Sequence, residues 1–93
     1  MENESVEPVW FMYVIRTYEG HLYCGISTDV TRRFAEHCAN GAKTARRLRG
    51  RGPLQLVFSL AIGSQSAALV AEARFKRLSK PAKERWLLSA LSE

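Results

Sequence analysis

The run Val9-Trp-Phe-Met-Tyr-Val-Ile-Arg16 constrains the fold most. It is rich in β-branched and aromatic residues and apolar on both alternating faces. A strand with one face in water alternates apolar and polar residues, so a run that does not alternate belongs at the centre of a sheet covered on both sides. Thr17 to Gly20 supply turn residues and Leu22 to Ser27 form a second strand, which makes a hairpin. Its register carries a parity question. Pairing Arg16 with His21 across a four-residue loop sets Tyr13 opposite Cys24 and turns Tyr23 away. A three- or five-residue loop, or a bulge, puts both tyrosines on one face. Propensity alone does not choose between these.

At 93 residues the chain has the size of one domain, burying roughly 60–65% of its unfolded surface. Residues 1–8 are polar, end in Pro8 and are expected to be a flexible tail, with residues 9–93 forming a single domain. After the hairpin, Thr28 or Asp29 is placed to cap a helix in which Val30, Phe34 and Cys38 recur as a buried stripe. Gly41 stands where a helix end favours positive φ. Arg33 and His37, four apart, share an adjacent face. Two arrangements fit that spacing: Arg33 paired with Glu36 and His37 half exposed, or both turned toward the sheet. Gly52-Pro53 marks a break, and Leu54 to Leu60 reads as a third strand. Ser66 to Leu78 is helical and carries Glu72, where an ion pair with Lys76 at i+4 is the common outcome. Lys80-Pro81 opens a last helix, with Pro81 at its first position and Trp86, Leu87 and Leu91 as its packing face.

The net charge is +5, and it is unevenly spread. The first eight residues hold three carboxylates and no cation, whereas residues 43–51 hold five cations, Lys43, Arg46, Arg47, Arg49 and Arg51, and no acid. Such a run taken alone is a solvated loop; following the tyrosine, arginine and histidine cluster, it suits a polyanionic partner. No apolar run approaches a membrane span, and the acidic start is unlike a signal peptide, so the cytoplasm is the expected location. Cys24 and Cys38 lack metal-ligand spacing and are expected to be reduced packing residues.

Tyr13-Val14-Ile15, then Tyr23-Cys24-Gly25 ten residues on, then Asp29-Val30-Thr31-Arg32-Arg33 with His37, and a late Glu72 on a helix together resemble the GIY-YIG endonuclease family. The resemblance covers nearly the whole chain. It is strongest to small single-domain bacterial members whose second motif reads Tyr-Cys-Gly-Ile and whose late helix reads Glu-Ala-x-x-Lys-Arg-Leu, here Glu72 to Leu78. Phe11 stands at the first motif's glycine position, Cys24 is central in the second, and no asparagine follows Asn40 to match the late asparagine of larger relatives.

The resemblance implies an α/β (α+β) sandwich, a three-stranded antiparallel sheet flanked by three or more helices, and hydrolysis of phosphodiester bonds with one divalent metal, Mg2+ or Mn2+. By matched position Tyr13 and Tyr23 are the motif tyrosines, Arg33 the helix arginine, His37 the histidine a turn later and Glu72 the metal ligand. Chemistry gives each a role. Tyr13 is the candidate general base, Tyr23 orients water or phosphate, and Arg33 clamps the phosphate with its planar fork. His37 accepts or relays a proton, and Glu72 offers a hard oxygen to the metal. The five cations of residues 43–51 would grip DNA phosphates without reading bases, which implies little sequence preference and a structure-directed or non-specific substrate. A link to DNA repair is implied only by the analogy of fold. A monomer is the default. The alternative is a nucleic-acid-binding module that keeps the fold and does not cut.

Overall fold

A computed structural model describes residues 7–91; the expected tail therefore lies largely outside the described residues. The elements follow as β1 (Trp10–Arg16), β2 (Leu22–Ser27), α1 (Val30–Cys38), a 3-10 turn (Arg46–Leu48), β3 (Gln55–Gly63), α2 (Gln65–Lys76) and α3 (Lys80–Leu91). The strands form one antiparallel sheet in the order β2-β1-β3, so the doubly apolar run is central as its pattern demands. Met12 to Ile15 are all buried.

Alternation along β1 divides the core into two layers. Met12, Val14 and Cys24 point to one face and pack with Phe58, Phe75 and Leu87. Tyr13 and Ile15 point to the other and pack with Leu48, Tyr23, Val30 and Phe34. Helices α2 and α3 cover the first face and α1 with the 3-10 turn covers the second. Trp86 of α3 meets Phe58 and Phe75 edge-on at 5.0 and 5.4 Å between ring centroids. Arg16, at the end of β1, holds Glu84 of α3 through two bonds of 2.7 and 3.0 Å. That fork, joined by Lys80, draws the Glu84 carboxyl down to about 2.

Arg16 pairs with Leu22, leaving a five-residue loop closed by Thr17 N–H to the His21 carbonyl at 2.8 Å. The loop is odd, so Tyr13 pairs with Gly25, Tyr23 pairs with Ile15, and the two tyrosines share a face.

The helices start where their caps dictate. Asp29 accepts from Arg32 N–H at 3.0 Å and Ser64 from Ala67 N–H at 3.1 Å. Three expectations need correction. The left-handed residue after α1 is Asn40 (φ 55), whose side chain also accepts from Gly50 N–H, and not Gly41. Ser79 accepts from Ala82 N–H and so caps α3, which moves Pro81 one place further into the first turn, where backbone N–H groups are unpaired anyway. Leu91 is exposed and adds nothing to the packing face. No described helix is long and apolar enough to cross a membrane.

Candidate active site

The inward stripe of α1 runs Val30, Arg33, Phe34 and His37, one residue away from the expected Val30-Phe34-Cys38 line. Cys38 is exposed, while His37, only 1% exposed, occupies the interior position. Cys24 does pack in the core, where burial first and the Glu72 carboxylate second push its thiol up to about 12.

His37 meets Tyr13 across the layer, its Nε2 lying 2.9 Å from the phenol oxygen. Its Nδ1 accepts from Ala45 N–H at 3.2 Å. An imidazole nitrogen that accepts carries no proton, so the neutral ring bears its hydrogen on Nε2 and donates it to Tyr13. The ring is neutral near pH 7, because burial and then the Arg33 charge hold His37 below its ordinary range. His37 therefore steadies the phenol oxygen as a donor; the expected role as proton acceptor conflicts with the bond from Ala45.

Ala45 is held in place by Thr44, a buried residue absent from the expected site. The Thr44 hydroxyl donates to the Glu36 carbonyl at 2.8 Å and accepts from Gly41 N–H at 2.9 Å. Leu48, 2% exposed, then drives the 3-10 turn against Tyr13 and Ile15. The basic segment is thus a strap over the histidine. Its cations differ in availability. Lys43 lies 4.0 Å from Glu36, Arg49 donates to the carbonyls of Ala42 and Thr44, and Arg51 pairs with Glu19 at 2.8 Å. Arg46 and Arg47 have no acceptor among the described residues.

Tyr13 lies across Gly25: a methyl group there would sit 2.5 Å from the phenol oxygen. Tyr23, partly exposed, packs beside it, with ring centroids 6.4 Å apart and His37 5.6 Å from Tyr23. Burial pushes the Tyr13 phenol well above its ordinary value, reinforced by Tyr23 and opposed by Arg33. The resting phenol is therefore protonated, and Arg33 alone does not reverse that. Arg33 does pair with Glu36 at 2.9 Å, and the same nitrogen donates to the Lys43 carbonyl at 2.7 Å, which ties α1 to the strap. Both sequence arrangements thus hold in part: the surface pair forms, and the histidine is buried.

Glu72 stands apart from these four. It is on α2, which covers the opposite face of the sheet, and its neighbours are Cys24 and Lys76, the latter at 3.2 Å. Its side chain is 18% exposed. No three His, Cys, Asp or Glu side chains gather as a metal cage among the described residues. One carboxylate suits only a hard ion that keeps most of its ligands as water and substrate oxygens, as Mg2+ does. Tyr13, Tyr23, Arg33 and His37 are brought together; Glu72 approaches from the other layer. Both α1 and α2 contact β2, the edge strand, so its free margin is where the two layers are jointly accessible.

The neutral buried histidine has a thermodynamic signature. Unfolded His37 takes up a proton near its ordinary 6.5 while the folded ring resists, so below that pH the unfolded state binds more protons and stability falls as pH drops. Urea titrations from roughly pH 7 to 5 are expected to show a loss approaching 1.4 kcal/mol per pH unit, which His37→Gln flattens. Glu36 and Glu84, held below their ordinary 4.5, lose their contributions only at lower pH. An equal slope in the variant would assign the proton uptake to another group.

The chain as a whole has relatives among known proteins. A UPF0213 protein of Klebsiella pneumoniae is 51% identical over 83 residues, 89% of this chain and 76% of its own. The UPF0213 protein YhbQ of Escherichia coli K12 is 53% identical over 76 residues, 82% of this chain and 74% of its own. Solution NMR structures give the same picture. The UPF0213 protein BH0048 from Bacillus halodurans is 36% identical with a TM-score of 0.57, covering 89% of this chain and 85% of that one. The protein EF2693 from E. faecalis is 31% identical with a TM-score of 0.65, covering 100% of this chain and 94% of that one. The family model for the GIY-YIG catalytic domain matches residues 9–85, from the start of β1 into α3, and this span contains both tyrosines, the strap and Glu72. With matches of that extent in sequence and fold, the chain belongs to the GIY-YIG family of nuclease domains.

Proposed function

We propose that the chain is a metal-dependent nuclease that hydrolyses phosphodiester bonds of DNA with little sequence preference. The observation that carries this is the buried bond between His37 Nε2 and the Tyr13 oxygen, with Tyr23 packed alongside and the Arg33 charge acting on the same phenol. An imidazole donor and a guanidinium trained on one phenol oxygen are what a transient phenolate needs.

Phosphodiester hydrolysis needs a proton acceptor for the attacking water and positive charge on the phosphoryl oxygens. Tyr13 is the acceptor in this reading, steadied by His37 and Arg33 as negative charge grows on its oxygen. Tyr23, the more exposed phenol, orients the water or a phosphate oxygen by hydrogen bond. Arg33 clamps the phosphate, and Arg46 and Arg47 hold its neighbours. Glu72 would hold the divalent ion, Mg2+ or Mn2+, which supplies charge neutralisation at the phosphate. The scissile phosphate lies at the free margin of β2, the place open to both Tyr23 and Glu72. A cytoplasmic role in DNA repair is part of this reading and rests on family kinship.

One observation favours a second reading. Glu72 is paired with Lys76 and lies on the other layer from the tyrosines, as in a nucleic-acid-binding module that keeps the fold without cutting. Incubation with labelled single- and double-stranded DNA in Mg2+, Mn2+ or EDTA separates the two. Cleavage is expected with metal and not with EDTA, and Glu72→Ala is expected to slow it by about 100-fold or more. Equal cutting by wild type and Glu72→Ala in every metal would remove the enzyme reading, and binding that persists would then support the module.

A further inference from the structure

Tyr18 is the most exposed large side chain with apolar character in the described chain, at 75%. It sits at the tip of the β1–β2 hairpin, and its backbone is held firmly. Gly20 N–H donates to the Thr17 carbonyl at 2.9 Å and His21 N–H to the Thr17 hydroxyl at 3.1 Å. Tyr18 N–H itself donates to the Arg51 carbonyl at 3.0 Å, which fastens the tip to the end of the strap. The phenol ring has no partner among the described residues. A ring presented on a rigid mount loses little freedom when something stacks on it.

The ground between this ring and the tyrosine cluster is concave and cationic. A cavity of about 230 Å3 is lined by Thr17, His21, Tyr23, Arg47 and Arg51, so one wall belongs to the cluster itself. A second, of about 320 Å3, is lined by Tyr18, Glu19, Arg49 and Arg51. The two adjoin at Arg51, so cationic hollows lie on the surface between Tyr23 and Tyr18. Glu19 is the one acid lining them, and its charge is taken up by Arg51 at 2.8 Å. Arg47, without an acceptor of its own, faces the inner cavity. Ile15, which pairs with Tyr23, precedes Tyr18 by three residues, and β1 ends between them at Arg16, so their Cα atoms are at most about 11 Å apart, within reach of a few nucleotides.

We propose that Tyr18 is a stacking platform for an unpaired DNA base a few nucleotides from the scissile phosphate, with Arg47 on an intervening phosphate. This rests on the reading of the chain as a DNA-cleaving domain and adds the substrate class: DNA with a single-stranded segment beside the cut. Duplex bases are already stacked on one another and offer no free face, so an exposed ring next to a phosphate track selects the single strand without selecting its sequence.

Binding measured by fluorescence anisotropy in EDTA, where cutting does not enter, tests the platform. The probes are a labelled oligothymidylate and a closed dumbbell duplex that has no unpaired bases outside its loops and no free ends, with the loops made from non-nucleotide linkers. Tyr18→Ala is expected to weaken oligothymidylate binding about 5- to 150-fold, the range for loss of one base–aromatic stack. Tyr18→Phe retains it within about two-fold, and dumbbell binding changes in neither variant. Arg47→Ala is expected to weaken both probes and lower the salt slope by about 1. Wild-type affinity in Tyr18→Ala, or an equal loss on both probes, would overturn the proposal. Tyr18-dependent binding without cleavage in any metal would uphold the platform and remove the nuclease reading. Cleavage with Tyr18-independent binding would do the reverse.

Discussion

Tyr13→Phe is expected to lower the cleavage rate by about 10²- to 10⁴-fold, the range for losing a proton-transferring group, on any DNA that the wild type cuts. The ring stays, and Phe fills the same space over Gly25, so the change removes one oxygen and little packing. That oxygen accepts from His37 Nε2–H at 2.9 Å in a buried layer. Its loss leaves an imidazole donor without a partner and is expected to lower stability by about 1–3 kcal/mol in urea unfolding. Tyr23→Phe is the control. No hydrogen bond to the partly exposed Tyr23 phenol is seen among the described residues, so the stability change should stay within about 0.5 kcal/mol while the rate falls through lost orientation of water or phosphate. The pair of variants separates chemistry from support. If Tyr13→Phe cut at the wild-type rate while Tyr23→Phe did not, the proton acceptor would be Tyr23, and Tyr13 would serve only to seat His37.

The buried state of Tyr13 makes this test informative. Burial pushes the phenol away from ionisation, and Arg33 and His37 push back without prevailing in the ligand-free chain. A phenol with these neighbours stays protonated until further positive charge is brought near it, which in the proposed reading the divalent ion held by Glu72 would supply. Arg33→Ala should therefore act on the rate in two ways, through lost grip on the phosphate and through a phenol still harder to ionise.

Much of the arrangement was legible in the sequence, for reasons that can be stated residue by residue. The unbroken apolar run from Val9 to Arg16 demanded a central strand, and period-2 alternation meant that Tyr13 and Tyr23 could meet only across an odd loop or a bulge; the five-residue loop satisfies this. Less legible was the depth of His37. Cys38 is the more apolar residue and completes an i, i+4, i+8 line, so periodicity favours it for the interior. The interior went to His37 because Ala45 N–H and the Tyr13 oxygen satisfy both its nitrogens, an outcome of tertiary contacts that leave no trace in spacing. A backbone donor has no residue type, so Ala45 carried no signal. Thr44 carried only a weak one, as a lone hydroxyl among cations. The same limit applies to Glu72: helical periodicity puts it on the side of α2 near Ala68 and Phe75, but says nothing of which face of the sheet that helix will cover. The Gly25 requirement was the opposite case, visible as a letter in the motif but without a reason until the Tyr13 ring was seen lying across it.

Gly25→Ala converts that reason into the second large effect. A Cβ at Gly25 would stand 2.5 Å from the Tyr13 oxygen, 2.7 Å from Cζ and 3.1 Å from Cε2, so the ring cannot stay where it is. It is 1% exposed, sandwiched between the sheet and α1, and has no open side to retreat into. Overpacking of this kind costs about 1–3 kcal/mol. The displacement needed is on the order of 1 Å, which at a reacting centre is enough to cost about 100-fold in rate. Gly25→Ala is therefore expected to lose both stability and cleavage, although glycine is otherwise the poorer strand residue by roughly 0.5–1 kcal/mol and its replacement in an open strand would stabilise. Combination with Tyr13→Phe gives the decisive comparison. Phe removes the oxygen that the methyl group meets first, so the stability loss from Gly25→Ala should shrink in that background, a coupling of about 0.5 kcal/mol or more in a double-mutant cycle. Strict additivity would mean that the methyl group and the phenol oxygen do not meet, and that Gly25 is there for some other approach to the strand.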